Sequence, residues 1–319
     1  MPMLLITGGA GFIGTNVTRM AIAQGWKVRV LDNFSTTTSS ESDLLEKLGA
    51  EVLVGDVREE TVCFAAVDRC DAVVHLAAQV SVPRSMESPE ETHEINVGGT
   101  ANLLKACRIL GVARFVMASS AAVYGNSEMF PLNEQQAGEF HSPYAGSKWK
   151  NEQQVMRAKN EGMEAIALRL FNVYGAGQHH LGAYAAVIPK FIERTLRGEH
   201  VTIFGDGLQT RDFVHVDDVS QAILMLATEP WTGELAHVYN VCTETEISMV
   251  ELLSQIHNVL EEVAPNIPRL APNHEAERMG DIDRSVGSKK RLVCDTAWRP
   301  RIKFEHGLRQ QILSQIEDA

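Results

Sequence analysis

Residues 3–17 read "MLLITGGAGFIGTNV", and the fold turns on how that stretch is read. A short apolar run, "MLLIT", passes directly into glycines, with Gly9, Gly11 and Gly14 in GxGxxG spacing and Gly8 ahead of them. The run reads as a strand and the residues behind the glycines as the start of a helix. Glycines allow a tight turn and a close backbone approach, and the helix N-terminus offers N–H donors with a partial positive charge. Strand, turn and helix in that order make a cradle for the pyrophosphate of a dinucleotide. Gly8, Gly11, Phe12, Ile13 and Gly14 are the residues expected to touch it.

The next strand-like run, "KVRVLD", ends on Asp32 with Asn33 beside it. A carboxylate at that position accepts ribose hydroxyls of NAD and repels the additional phosphate of NADP. The following "NFSTTT" carries no arginine to reverse that preference, so NAD is the expected cofactor. Further strand ends continue the same groove. "GDV" at 55–57 offers Asp56, toward the adenine amine, and Val57, while "HLAAQ" at 75–79 offers Leu76, Ala77, Ala78 and Gln79.

Similar runs recur as "AVVHLA", "RFVMASS" and "EAIALRL", separated by helical spacing in "EINVGGTANLLKACRILG" and "PYAGSKWKNEQQVMRAKNEG". Strands alternating with helices predict an α/β fold, a Rossmann-type doubly wound parallel sheet with helices on both faces. After Phe171 the alternation loosens, with helical segments near 183–197, 217–228 and 248–262. The division expected is a NAD-binding Rossmann domain over 1–171, with elements near 213–241 returning to it. Residues 172–319 are then a smaller C-terminal lobe that mainly binds substrate.

Bulk composition is that of an ordinary globular protein: 319 residues, 45% hydrophobic and 22% charged. A formal charge of −12 repels a polyphosphate backbone, so nucleic acid is not an expected partner. Five cysteines without a CxxC pair point to a reduced compartment, the cytoplasm. The N-terminal stretch lacks the basic n-region of a signal peptide, and no apolar run reaches membrane-spanning length.

In "SPYAGSKWK" Tyr144 and Lys148 stand four residues apart on a predicted helix and so share a face. A free tyrosine titrates near about 10 and is a weak base at neutral pH. A neighbouring ammonium and the positive charge of a bound nicotinamide both favour the phenolate and lower that value. Two other groupings carry a blander reading: His179–His180 as loop residues rather than metal ligands, and Asp217–Asp218 as first-turn acids of a helix.

Taken in order, "TGGAGFIG", "LDN", "GDV", "HLAAQ", "NVGGT", "SSAAVYG", "SPYAGSK", "LRLFNVYG", "IFGDGLQTRDFVHVDDV" and "RMGD" resemble the extended short-chain dehydrogenase/reductases, the NAD-dependent epimerase/dehydratase family. The resemblance covers nearly the whole chain. It implies Tyr144 as base, Lys148 as its cationic neighbour on the nicotinamide ribose, Ser120 as a hydrogen-bond partner of the reacting hydroxyl, and Asn96 in a supporting role. It also implies a nucleotide-sugar substrate. Asn172 and Arg211 would hold the diphosphate, Arg278 and Asp281 the nucleotide and its ribose, and Val187 would pack in the pocket. Ser81, Ala121 and Phe204 complete that substrate set. A homodimer through helices near 91–109 and 144–160 is implied as well.

Within the family, dehydratases place an Asp–Glu pair directly after the hydroxyl residue, and decarboxylases carry a Glu two residues before the "VYG" tyrosine. Here Ala121 and Ala122 occupy those positions, so 4-epimerisation of a UDP-hexose through a 4-keto sugar is the expected reaction. Glucose/galactose-limited members usually carry a bulky aromatic residue where this chain has Ser285. The small residue predicts acceptance of N-acetylated UDP-hexoses, in keeping with the likeness of "SVPRS" and "GAYAAVIPK" to epimerases of UDP-N-acetylglucosamine. Another nucleotide sugar (a UDP-uronic acid, a GDP- or dTDP-sugar) and a non-catalytic NAD-binding regulator stand as alternatives.

Overall fold

A computed structural model describes residues 1–37, 39–136, 140–178, 186–231, 233–277 and 282–317. Six strands follow one another from the N-terminus: β1 (Met3–Thr7), β2 (Lys27–Asp32), β3 (Glu51–Val54), β4 (Ala72–His75), β5 (Arg114–Ser120) and β6 (Glu164–Leu170). Then come β7 (Asn172–Tyr174), β8 (Thr202–Phe204), β9 (Thr210–His215) and β10 (Val238–Val241). The last are β11 (Glu246–Ser248), β12 (Asn273–Glu275) and β13 (Arg284–Ser285).

Seven of these form one parallel sheet in the order β10-β6-β5-β4-β1-β2-β3. Alternate residues of each strand serve different cores. Leu4 and Ile6 pack with Val28, Val30 and Val116 on one face, while Leu5 packs with Leu31, Val73 and Phe115 on the other. Because both faces are covered by helices, the strands read as unbroken apolar runs. This is the doubly wound α/β architecture expected from the alternation. The strand order runs one way from β1 into β2 and β3 and the other way into β4, β5 and β6, which opens a crevice at the carboxyl ends between β1 and β4.

Outside that sheet, β9 pairs with β7, β11 and β13, and β8 pairs with β12. A third apolar core lies here, built from Ile188, Phe191 and Ile192 with Phe213, Leu252, Ile256, Leu308 and Ile312. Residues 213–215, expected to return to the main sheet, belong instead to β9 of this smaller sheet. The return begins with the helix Val216–Thr228 and is completed by β10, which pairs with β6. Asp217 and Asp218 do lie in that helix's first turn, and the buried Asp218 carboxylate accepts from the Arg301 and Ile302 N–H groups.

The helix expected from residue 94 begins with a π-helical turn over Glu94–Gly98 before the regular helix Gly99–Leu110. In this stretch the Asn96 carbonyl accepts from the Thr100 hydroxyl at 2.6 Å and the Asn151 amide at 2.8 Å. The segment expected as helical from 183 is observed as Val187–Leu196; residues 179–185, including His179 and His180, lie outside the described set. All five cysteines are free thiols, and Cys63, Cys70, Cys107 and Cys242 are buried. Among the described residues, no helix is long and apolar enough to cross a membrane.

Candidate active site

The glycine turn sits at the carboxyl end of β1, where the helix Phe12–Ala23 begins with Gly11 as its cap and no side chain bonding to its first amides. The first bond of the helix runs from Thr15 N–H to the Gly11 carbonyl, so the amides of Phe12, Ile13 and Gly14 precede the ladder. Gly8 has φ +69°, and a Cβ there would come within 2.6 Å of the Ala77 nitrogen; a Cβ on Gly14 would come within 2.2 Å of the Gly8 oxygen. Gly11 is different. A Cβ there would meet only the Gly8 oxygen, at 3.4 Å, so nothing in the chain itself demands its bareness. Such a residue at a helix N-terminus is what close approach of a pyrophosphate requires.

Asp32, half-buried at the end of β2, accepts from the Ala10 N–H at 3.0 Å and the Phe34 N–H at 2.8 Å. Its carboxylate keeps acceptor capacity for ribose hydroxyls, and no arginine lies in the segment that follows. The donor set therefore fits NAD. Asp56 has both oxygens engaged, by Arg58 and by the Asn33 amide at 2.9 Å. The Arg58 hydrogen bond outweighs burial and holds its carboxyl at about 2. Val57 beneath it is buried.

The "HLAAQ" strand end is fastened from behind. The Asn96 side chain accepts from Gln79 N–H at 2.8 Å and donates to the Gln79 carbonyl at 3.0 Å and to the Ser147 hydroxyl at 2.9 Å. That ties the backbone beyond Leu76, Ala77 and Ala78 to the helix Pro143–Asn160. Ser81 caps the helix Val82–Glu87 by accepting from Arg84 N–H.

The helix Pro143–Asn160 starts with Ser142 as its cap, and it brings Tyr144 and Lys148 to the carboxyl end of β5. Tyr144 and Lys148 are buried, 9% and 4% exposed. Ser120, the last residue of β5, lies close enough to Tyr144 for its hydroxyl to favour the phenolate and accepts from Ala122 N–H at 3.1 Å. The Lys148 ammonium donates to the Ala118 carbonyl at 2.9 Å and lies 5.9 Å from the centre of the Tyr144 ring. Burial pushes the Lys148 amine down to about 8, with Glu152 opposing that shift. Burial pushes the Tyr144 phenol up, and its bond to Ser120 offsets this in part. Desolvation is the larger effect here, which leaves the lowering of the phenol to the positive charge of a bound nicotinamide together with Lys148.

On the other side lies a cavity of about 950 Å³ lined by Asn172, Val187, Phe204 and Arg211 among others. These come from β7, the helix Val187–Leu196, β8 and β9, the elements of the smaller sheet and its core. The Asn172 amide donates to the Asp212 carbonyl at 3.3 Å, and the Arg211 guanidinium donates to the carbonyls of Thr210 and Ile282 at 2.8 and 2.5 Å. Ser285 is buried on β13, in register with Arg211 of β9. Arg278 and Asp281 lie outside the described residues. Among the described residues, no group of three or more His, Cys, Asp or Glu is placed to hold a metal ion.

Sequence reasoning passed over Glu152 and Arg169, which form a sealed ion pair next to this site, with side chains 1% and 2% exposed. The signals were present: Glu152 continues the four-residue spacing of Tyr144 and Lys148, and Arg169 interrupts an apolar strand, "EAIALRL".

A glycine turn at a topological switch point, with a buried tyrosine–lysine pair across from it, marks the class of Rossmann-fold enzymes that use a dinucleotide. The chain belongs to the NAD dependent epimerase/dehydratase family, whose model matches residues 4–242, and its cofactor is NAD. It is 32% identical over 316 residues to the UDP-glucose 4-epimerase of Mycolicibacterium smegmatis, covering 97% of this chain and 96% of that one. It is also 30% identical to a UDP-N-acetyl-alpha-D-glucosaminuronate decarboxylase of Bacillus cytotoxicus, covering 97% and 96%. Among solved structures, the UDP-N-acetylglucosamine 4-epimerase of Methanobrevibacter ruminantium in complex with UDP-N-acetylmuramic acid superposes with a TM-score of 0.91. Its identity is 30%, over 100% of this chain and 99% of that one.

Proposed function

We propose that this enzyme interconverts UDP-hexoses epimeric at carbon 4, N-acetylated ones included. The observation that carries the reading is the junction of β5: the half-buried Ser120 meets the buried Tyr144 and Lys148, and the two residues that follow Ser120 are Ala121 and Ala122. Bound in the crevice, NAD supplies the hydride acceptor at carbon 4 and then the donor. Tyr144, as phenolate, takes the proton of the sugar 4-hydroxyl while the Ser120 hydroxyl holds that oxygen. Lys148 keeps a positive charge beside the phenolate and so stabilises it. A 4-keto sugar results. It turns within the pocket, Tyr144 returns the proton to the same oxygen, and the stereocentre is inverted. Ala121 and Ala122 supply no acid or base for elimination or decarboxylation, which leaves reduction as the productive exit.

In this reading Gly8 to Gly14, Asp32, Asn33, Asp56, Val57 and the segment Leu76–Gln79 bind NAD. Residues 1–171, with the returning helix Val216–Thr228 and β10, make the cofactor domain, and the rest of 172–319 mainly binds the sugar nucleotide, with Arg211 and Asn172 on the diphosphate. The small Ser285 beside Arg211 leaves room for an N-acetyl group, consistent with the likeness to a UDP-N-acetylglucosamine epimerase. The active species is a homodimer through the helices near 91–109 and 144–160. The test of the chemistry is Tyr144→Phe, which removes one hydroxyl. It should fold and bind NAD as wild type does while turnover falls by about 10²-fold or more; full activity in the variant would refute the role of base.

A further inference from the structure

Tyr144, Lys148 and Glu152 recur every four residues and so lie on one face of the helix Pro143–Asn160. Each of them is tied to a different residue at the end of β5. The Lys148 ammonium donates to the Ala118 carbonyl, the Ser119 hydroxyl donates to Glu152 at 2.5 Å, and Ser120 lies beside Tyr144. Behind Glu152 stands Arg169 of β6, the residue paired in register with Ser119 across the sheet. Its guanidinium donates to both carboxylate oxygens, at 2.9 and 2.7 Å, and stacks over the Tyr124 ring at 4.7 Å. Its remaining nitrogen donates toward the carbonyls of Glu134 and Gln136.

A buried ion pair is not in itself a stabilising choice, because apolar residues of like volume often serve stability as well. The placement of this one answers to the neighbouring chemistry. We infer that Glu152 is a positioning residue for the reaction: clamped to Ser119 and backed by Arg169, it sets the end of β5 against the helix, so that Ser120 meets Tyr144, and it places an anion one turn beyond Lys148 on the same helix face. The role rests on the epimerase reading given above. The groups that face Lys148 are few. Tyr144 and Glu152 come from its own helix, the Ala118 carbonyl from β5 and His75 from β4, while Arg169 reaches it only through Glu152. Burial, then Lys148, holds His75 down at about 3, so it stays neutral where the enzyme works. Glu152 is then the anion that opposes loss of the Lys148 proton.

Removing that anion should make Lys148 lose its proton at lower pH and draw the alkaline limb of kcat/KM in the acid direction. Two variants read this. Glu152→Gln leaves Arg169 a buried unpaired cation, which adds to the effect. The double variant Glu152→Gln with Arg169→Met removes both charges at similar volume and keeps the test alive where the single variant does not fold. Each is compared with wild type for thermal midpoint and for the full pH profile on whichever UDP-hexose wild type turns over. The expected result is a limb displaced by about one pH unit toward acid in a folded variant, with Glu152→Asp restoring most of the wild-type profile. A third variant, Ser119→Ala, removes the clamp without touching a charge. It should lower kcat several-fold and leave the limb in place. A folded double variant with the wild-type limb, together with a fully active Ser119→Ala, would overturn the proposal. Absence of turnover by wild type on any UDP-hexose would instead overturn the functional reading, and this role with it.

Discussion

Asn96 holds the backbone of Gln79 at two points, accepting from its N–H at 2.8 Å and donating to its carbonyl at 3.0 Å. Both residues are buried, so neither backbone group has water to fall back on. Asn96→Ala strands them both, while the Ser147 hydroxyl keeps its bond to the Tyr144 carbonyl. Unsatisfied buried groups cost about 1 to 3 kcal/mol each, and partial relaxation should leave a net loss of about 2 to 4 kcal/mol in urea unfolding. A loss below about 0.5 kcal/mol would show that the bonds hold nothing.

His75 links pH to stability. Thr100 donates its hydroxyl proton to the Asn96 carbonyl, so its oxygen accepts from Nε2–H of His75 at 3.0 Å, and Nδ1 accepts from the Thr7 hydroxyl at 2.7 Å. This neutral tautomer is fully satisfied, and burial holds the ring at about 3 against an ordinary 6.5. Above the ordinary value both folded and unfolded states are neutral and the full stability is present. As pH falls below it, the unfolded chain gains a proton that the native state refuses, and stability drops by about 1.4 kcal/mol per pH unit. His75→Asn should remove one proton's worth of that slope between pH 6 and 5, measured by urea unfolding. An unchanged slope would place the acid sensitivity in the other depressed histidines, His215, His237 and His257.

Gly11 and Gly14 separate folding from cofactor binding. An added Cβ has ordinary room at Gly11 but strikes the Gly8 backbone at Gly14. Gly11→Ala should therefore keep its melting temperature within a few degrees and lose most of its NAD, judged by the absorbance of bound nucleotide after gel filtration. Gly14→Ala should be less stable as well. Full NAD content in Gly11→Ala would contradict the cradle.

Ser285→Tyr tests the size argument. With its side chain packed beside Arg211, a tyrosine should reduce kcat/KM for an N-acetylated UDP-hexose about tenfold more than for UDP-glucose. Equal losses on both substrates would locate the discrimination elsewhere.

The sheet and its glycine turn were legible because local sequence writes them directly: strands covered on both faces leave unbroken apolar runs, and a close backbone approach leaves glycine. Tyr144 and Lys148 were legible because a helix converts a spacing of four into one face. What escaped was pairing between distant segments. Asn96 finds Ser147 across 51 residues, and Glu152 finds Arg169 only because helix and strand pack together. The burial of Tyr144 escaped for a related reason, since its depth is set by the whole fold rather than by the lysine four residues on.

The most direct test of the central claim is to incubate the purified protein with UDP-N-acetylglucosamine, without added nucleotide cofactor, and follow the products by chromatography. The epimerase account expects UDP-N-acetylgalactosamine to appear and approach equilibrium, with NAD retained by the protein. No interconversion of this or any other UDP-hexose would contradict it.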